Sequence, residues 1–178
     1  ILAGDALLSF AFHLLLEESG KDKRHLEAAK LLSRAAGAEG MVAGQSADLM
    51  CEGASADEEQ LRFIYEHKTG KLIQAPVAMA ACLAGKCQAE MSSFGADLGV
   101  LFQLTDDILD VKGENSAMGK TLGKDEAEEK LTCVRLFGLE RSEQLADEYA
   151  NKCLSALKNV EHADFLRELV TFVRTRNH

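Results

Sequence analysis

The stretch FGADLGVLFQLTDDILD, residues 94–110, decides the fold. At 100° per residue, Gln103, Asp106, Asp107 and Asp110 fall at i, i+3, i+4 and i+7, within one stripe of a helix. Ser92, Ala96 and Gly99 continue that stripe towards the N-terminus, while Phe94, Leu98, Leu101, Phe102, Leu104, Ile108 and Leu109 cover the rest of the circumference. A helix apolar over most of its surface is buried, so this one is predicted to lie at the centre of a bundle with its polar stripe facing an interior cavity. Like-charged carboxylates in such a cavity require a cation. Hard oxygen ligands suit Mg²⁺, which is commonly held by one or two carboxylates together with substrate phosphates. An isolated acidic pair is more often a solvated helix end or a cap. Here the glutamine one turn earlier, the small residues on the stripe and the apolar neighbours favour the cavity.

Working outward, the periodicity stays helical. Residues 4–18 repeat apolar positions (Leu7, Phe10, Leu14) and stop at Ser19-Gly20, where glycine can supply a left-handed cap. A second helical pattern covers residues 22–51 and carries Gly37, Gly40 and Gly44, each unfavourable by ~1 kcal/mol against alanine in a helix interior. Close approach of a neighbouring backbone or a ligand is the expected compensation. A third helix opens on Asp57-Glu58-Glu59, which favour the macrodipole, and runs towards Ala84 with a kink expected at Pro76. Residues 87–111 form the central fourth helix. Residues 112–123, with Gly113, Asn115, Gly119 and Gly123, give the longest loop signal. Helical spacing resumes over residues 125–139, 142–157, with Ser142 a candidate N-cap, and 163–175. The expected fold class is all-α, one domain over residues 1–178.

Composition supports this and removes several functions. A chain of 178 residues is long enough to bury about 68–70% of its unfolded surface without disulfides or structural metal. Apolar residues at 47% and charged ones at 28% argue against disorder. One proline and 6% aromatics suit long helices rather than short strands. A net charge of −9 disfavours a nucleic-acid partner. The longest uncharged run, between Lys71 and Lys86, has 14 residues, short of the roughly 20 a bilayer span requires. Five cysteines in no metal-ligand spacing point to reduced, buried thiols and a cytoplasmic location. The chain opens at Ile1 in mid-pattern, without a basic n-region, so a preceding part of the natural protein is expected to be absent.

Other polar residues are ambiguous on spacing alone. Gln45 and Asp48 sit at i and i+3 beside the glycine row, where they either face the same cavity or form an ordinary helix surface. Lys68, next to Thr69, either snorkels to solvent or answers a buried anion. Lys120, Lys124 and Lys130 lie in or just after the glycine-rich stretch, as phosphate-closing groups or as solvated loop residues. The five histidines form no ligand spacing.

Taken together, GDALL (residues 4–8), GMVAGQSADL (40–49), HKTGKLI (67–73), FGADLGVLFQLTDDILD (94–110) and GKTLGKDEAEEKLT (119–132) resemble, in order and spacing, the trans-polyprenyl diphosphate synthases. The bacterial farnesyl diphosphate synthase type, or geranyltranstransferase, is the nearest likeness. The resemblance implies an all-α isoprenoid synthase fold, usually a homodimer, that joins isopentenyl diphosphate to an allylic diphosphate with Mg²⁺. It implies Asp106 as a direct magnesium ligand within a motif that Asp107 and Asp110 complete, and Asp48 and Asp125 as acids holding metal-bound waters. It further implies that Lys68 and Lys120 bind the allylic diphosphate with Lys130 nearby, that Gln45 belongs to the substrate site, and that Gln103 and the Thr69 carbonyl point dipoles at the carbocation. In that family the final proton goes to the leaving pyrophosphate.

The family's first aspartate-rich motif and its isopentenyl-binding basic residues match nothing in this sequence, and no DDxxD precedes Asp106. The chain alone is therefore expected to be inactive. A non-catalytic partner subunit of the same fold and a class I terpene cyclase are the alternatives. Intact Lys68, Thr69, Gln103 and Asp106 argue against the first, and GQSAD with GKTLGKD looks like the synthases rather than the cyclases.

Overall fold

The computed structural model describes residues 1–52, 57–117 and 131–176, and the described residues contain helices and no strand. In chain order these are α1 (Leu2–Glu18), α2 (Arg24–Ala36), α3 (Met41–Cys51), α4 (Glu58–Ile64), α5 (Lys71–Ala84), α6 (Gln88–Ala117), α7 (Cys133–Phe137), α8 (Leu139–Ala156) and α9 (Asp164–Thr175). A π-helical segment, Tyr65–Gly70, joins α4 to α5 without a break.

The helix predicted to be central is α6, packed by α5, α7, α8, α9 and the π-helical segment. Its Phe94 and Leu101 are completely buried, and Leu98, Leu104 and Ile108 nearly so. They share one core with Leu61 and Ile64 of α4, Ala146 and Cys153 of α8, and Val170 and Val173 of α9. Each such large side chain contributes about 1.5–3 kcal/mol of burial, so this contiguous cluster fixes α6 and the stripe it carries.

Several sequence expectations need correction. The pattern over residues 22–51 is two helices: Gly37 closes α2, and a Cβ at Gly40 would collide with the Ala35 carbonyl, so the chain turns there before α3. Helix α1 ends on Ser19, whose hydroxyl donates to the Leu16 carbonyl at 2.6 Å; Gly20 is not in the left-handed region. Helix α5 runs through Pro76 without ending there, and a π-helical segment that the sequence pattern did not announce precedes it at Tyr65–Gly70. Helix α6 continues past Val111 to Ala117, so helix occupies half of the expected loop. Ser142 lies inside α8 and is buried, donating to the Gly138 carbonyl at 2.8 Å; Gly138, at φ 81°, starts that helix. Of the helix expected over residues 125–139, the described residues show only the short α7, which opens at Thr132, whose hydroxyl accepts from the Arg135 N–H at 3.2 Å, and ends at Gly138; residues 118–130 lie outside the described residues. Two other boundaries agree. Gly85 ends α5 at φ 68°, and Asp57 with Gln60 forms a reciprocal cap on α4.

All five cysteines are free thiols; Cys51, Cys133 and Cys153 are buried, Cys82 is partly so, and Cys87 is exposed at the start of α6, against the expectation that all are interior. No described helix is long and apolar enough to cross a membrane. Helix α1 packs on α2 and leaves Leu7, Phe10 and Leu14 exposed.

Candidate active site

The site is built where α3, the π-helical segment and α6 meet. Glycine makes the meeting possible on both sides. A Cβ on Gly44 of α3 would run into the Lys68 backbone nitrogen, and one on Gly99 of α6 would stand 2.5 Å from the Gly70 Cα. The compensation expected for Gly44 is thus the backbone of the segment that carries Lys68 and Thr69. A π-helical turn holds an extra residue and changes the helical phase. Two consecutive side chains of this segment reach different helices: Lys68 Nζ donates to Asp48 Oδ2 on α3, and Thr69 Oγ1 donates to Gln103 Oε1 on α6 at 2.9 Å.

From Gln103 the network continues along the stripe. Its Nε2 donates to Asp107 Oδ1 at 3.1 Å. The other oxygen of Asp107 accepts from the Tyr65 hydroxyl and from the Cys133 N–H, the latter at 2.9 Å. That same N–H lies 2.9 Å from the Tyr65 oxygen. Asp107 is 5% exposed, and burial pushes its carboxyl above the usual range while these donors pull it back. Burial, followed by the charge of Asp107, raises the Tyr65 phenol, so it remains a donor. Asp107 therefore has both oxygens occupied inside the protein.

Asp106 differs. It is partly exposed, Oδ1 is paired with Arg176 Nη2, and burial raises its carboxyl against the lowering by that guanidinium. Asp110, one turn on, is exposed. Asp106 and Asp110 are hard-oxygen donors on the open part of the stripe, and Asp106 already holds a cation, so the pair fits a divalent ion. Among the described residues, no three His, Cys, Asp or Glu side chains are gathered closely enough to enclose a metal.

Of the residues singled out from sequence, the structure joins Asp48, Lys68, Thr69, Gln103 and Asp107 through contacts, with Asp106 and Asp110 on the same stripe. Gln45 is exposed on α3, one turn before Asp48. Lys120, Lys124, Asp125 and Lys130 lie outside the described residues. Sequence reasoning missed Tyr65, Cys133 and Arg176. Tyr65 had a signal, since it precedes Thr69 by four residues on the same helical run. The contacts of Cys133 and Arg176 bridge 26 and 70 residues, beyond any periodicity.

Residues 1–171 match the polyprenyl synthetase family model. The farnesyl diphosphate synthase of Micrococcus luteus is 39% identical over 99% of this chain and 62% of its own length. The Arabidopsis thaliana geranylgeranyl pyrophosphate synthase 4 is 35% identical over 100% of the chain and 50% of its own. Among solved structures, a Helicobacter pylori geranyltransferase complexed with magnesium and isoprenyl diphosphate superposes with a TM-score of 0.74 at 34% identity, over 98% of this chain and 58% of that one. The chain thus spans half to three fifths of the length of these relatives. With helix order, glycine-mediated packing and family match running along the same residues, the chain belongs to the polyprenyl synthetase family and has its all-α isoprenoid synthase fold.

Proposed function

We propose that the whole protein joins isopentenyl diphosphate to an allylic diphosphate, dimethylallyl or geranyl, to give farnesyl diphosphate or a similar short-chain product. The observation that carries this is the divergence of Lys68 and Thr69, which sets an ammonium group beside Asp48 and a hydroxyl on Gln103, one turn from Asp106. Farnesyl and geranylgeranyl synthases are both among the relatives, and the family's prenyl transfer accommodates either length.

Each residue has a task in that reaction. Lys68 exchanges its pairing with Asp48 for oxygens of the allylic diphosphate, and Lys120 and Lys130 assist it. Gln45 also contributes to the substrate site. Asp106 and Asp110 hold Mg²⁺, and Asp48 and Asp125 hold its waters; when bound, the ion stabilises the negative charge of the departing pyrophosphate. Gln103 Oε1, oriented by its bonds to Thr69 and Asp107, presents a carbonyl dipole to the allylic cation, as does the Thr69 carbonyl. Asp107 serves this site by holding Gln103. The part of the natural protein preceding Ile1 supplies the other aspartate-rich motif and the isopentenyl-binding residues, a reading supported by the share of the relatives that the chain spans. A second copy covers the apolar residues exposed on α1. The free thiols suit a reducing cytoplasm.

Asp106→Ala in the whole protein is expected to lower kcat by several orders of magnitude, and Asp110→Ala by less. Steady-state condensation of geranyl with isopentenyl diphosphate checks this. Rates within about threefold of wild type for both variants, a barrier change of only ~0.7 kcal/mol, would exclude the metal assignment.

A further inference from the structure

We propose that Arg176 is the resident counter-ion of Asp106, held on that carboxylate until a divalent cation displaces it, so that filling the metal site releases Arg176 from α6. This rests on the reading of Asp106 as a metal ligand.

Arg176 follows directly on α9, in extended backbone, 70 residues from its partner. Its guanidinium lies over the Phe102 ring at 4.2 Å, and Nη2 donates to the Phe102 carbonyl at 3.4 Å as well as to Asp106 Oδ1. Phe102 precedes Asp106 by four residues, so one helix turn supplies both the platform and the anion. The pair is sheltered, with the Arg176 side chain 15% exposed and that of Asp106 37%. Asp107 and Asp110 add like charge around Asp106.

Two features make this cation exchangeable rather than a permanent tie. The Arg176 Nε is buried without a partner, so the guanidinium is incompletely satisfied where it lies. The last helix has its own anchor, Arg174 Nε donating to Asp147 Oδ1 of α8 at 2.6 Å, so Arg176 can leave without undocking α9. A divalent ion bound to Asp106 would compete with the guanidinium for that carboxylate and repel it. Occupancy by one cation thus lowers the apparent affinity for the other, and the coupling is reciprocal. Arg176 acts through Asp106 and is a positioning residue.

The test is Mn²⁺ binding to the whole protein, followed by electron paramagnetic resonance with inorganic pyrophosphate present. Arg176→Met keeps the stem over Phe102 and removes the charge. It is expected to tighten Mn²⁺ binding by about tenfold, a coupling of ordinary size. In the wild type, Mg²⁺ with pyrophosphate is expected to speed exchange of the Arg176 amide hydrogen, which is bonded to the Phe172 carbonyl at 2.9 Å. Unchanged or weaker Mn²⁺ binding in Arg176→Met, while Asp106→Asn binds less, would overturn the counter-ion role alone. If the wild type binds no Mn²⁺, or Asp106→Asn binds it as tightly, the metal reading fails and the proposal falls with it.

Discussion

Gln103 is held at both ends of its amide, and this revises what its replacement should do. Spacing alone treats it as a polar residue in an apolar helix, removable by Gln103→Leu with little effect on folding. In the structure its Nε2 donates to Asp107, and leucine would leave that buried oxygen unpaired, at about 1–3 kcal/mol. Gln103→Leu should therefore reduce both melting temperature and activity, and cannot separate the two roles. Asp107→Asn can. It removes a buried charge; with its oxygen towards Tyr65 and Cys133 its amide nitrogen faces Gln103 Nε2, and turned over the nitrogen faces the Tyr65 hydroxyl and the Cys133 N–H instead. The first arrangement turns the Gln103 amide over, so that nitrogen instead of oxygen faces Thr69. In the whole protein kcat should fall by about tenfold or more, ~1.4 kcal/mol of barrier, with KM and melting temperature little changed. Single-turnover condensation beside thermal unfolding checks it; a wild-type rate would show that the orientation of this amide is immaterial.

At the scale of elements, helices and core were legible because apolar periodicity reports burial, and burial organises the bundle around α6. The π-helical segment was not legible. Tyr65–Gly70 has the composition of any helix, and it lies where Gly44 of α3 and Gly99 of α6 admit its backbone, contacts between distant parts of the chain that local sequence cannot encode. The row of glycines around residues 37–44 did announce a close approach, but only the structure separates Gly40, which turns the chain, from Gly44, which admits Lys68. The distinction is measurable. Gly44→Ala and Gly99→Ala each place a methyl group against backbone that must move, so each should lose about 1–3 kcal/mol, some 2–12 °C in Tm for a chain of this size. Gly4 has nothing within 4 Å of its added Cβ and lies within α1, so Gly4→Ala should be neutral or stabilising by up to ~1 kcal/mol. Calorimetric scans of the three variants check this, and equal melting of Gly44→Ala and Gly4→Ala would contradict the packing account.

For the whole molecule, the question is whether these residues can complete a catalytic centre alone. The described residues gather Asp48, Lys68, Thr69, Gln103 and Asp107 and place Asp106 and Asp110 beside them, but only the last two offer open carboxylates on the central stripe. One of these is occupied by Arg176. Stabilising a departing pyrophosphate requires charge on more than one side of it, and a second set of carboxylates must come from elsewhere. The 178-residue chain by itself should therefore show no prenyl transfer from geranyl to isopentenyl diphosphate, even though its α6-centred core is continuous. Loss through unfolding is distinguished first: far-ultraviolet circular dichroism should show a helical protein with a cooperative melt. Joining the preceding segment of the natural protein should then raise the condensation rate from background to a measurable turnover. Turnover by the isolated chain would show that Asp106, Asp110 and their neighbours suffice, and would remove the requirement for a second aspartate-rich motif.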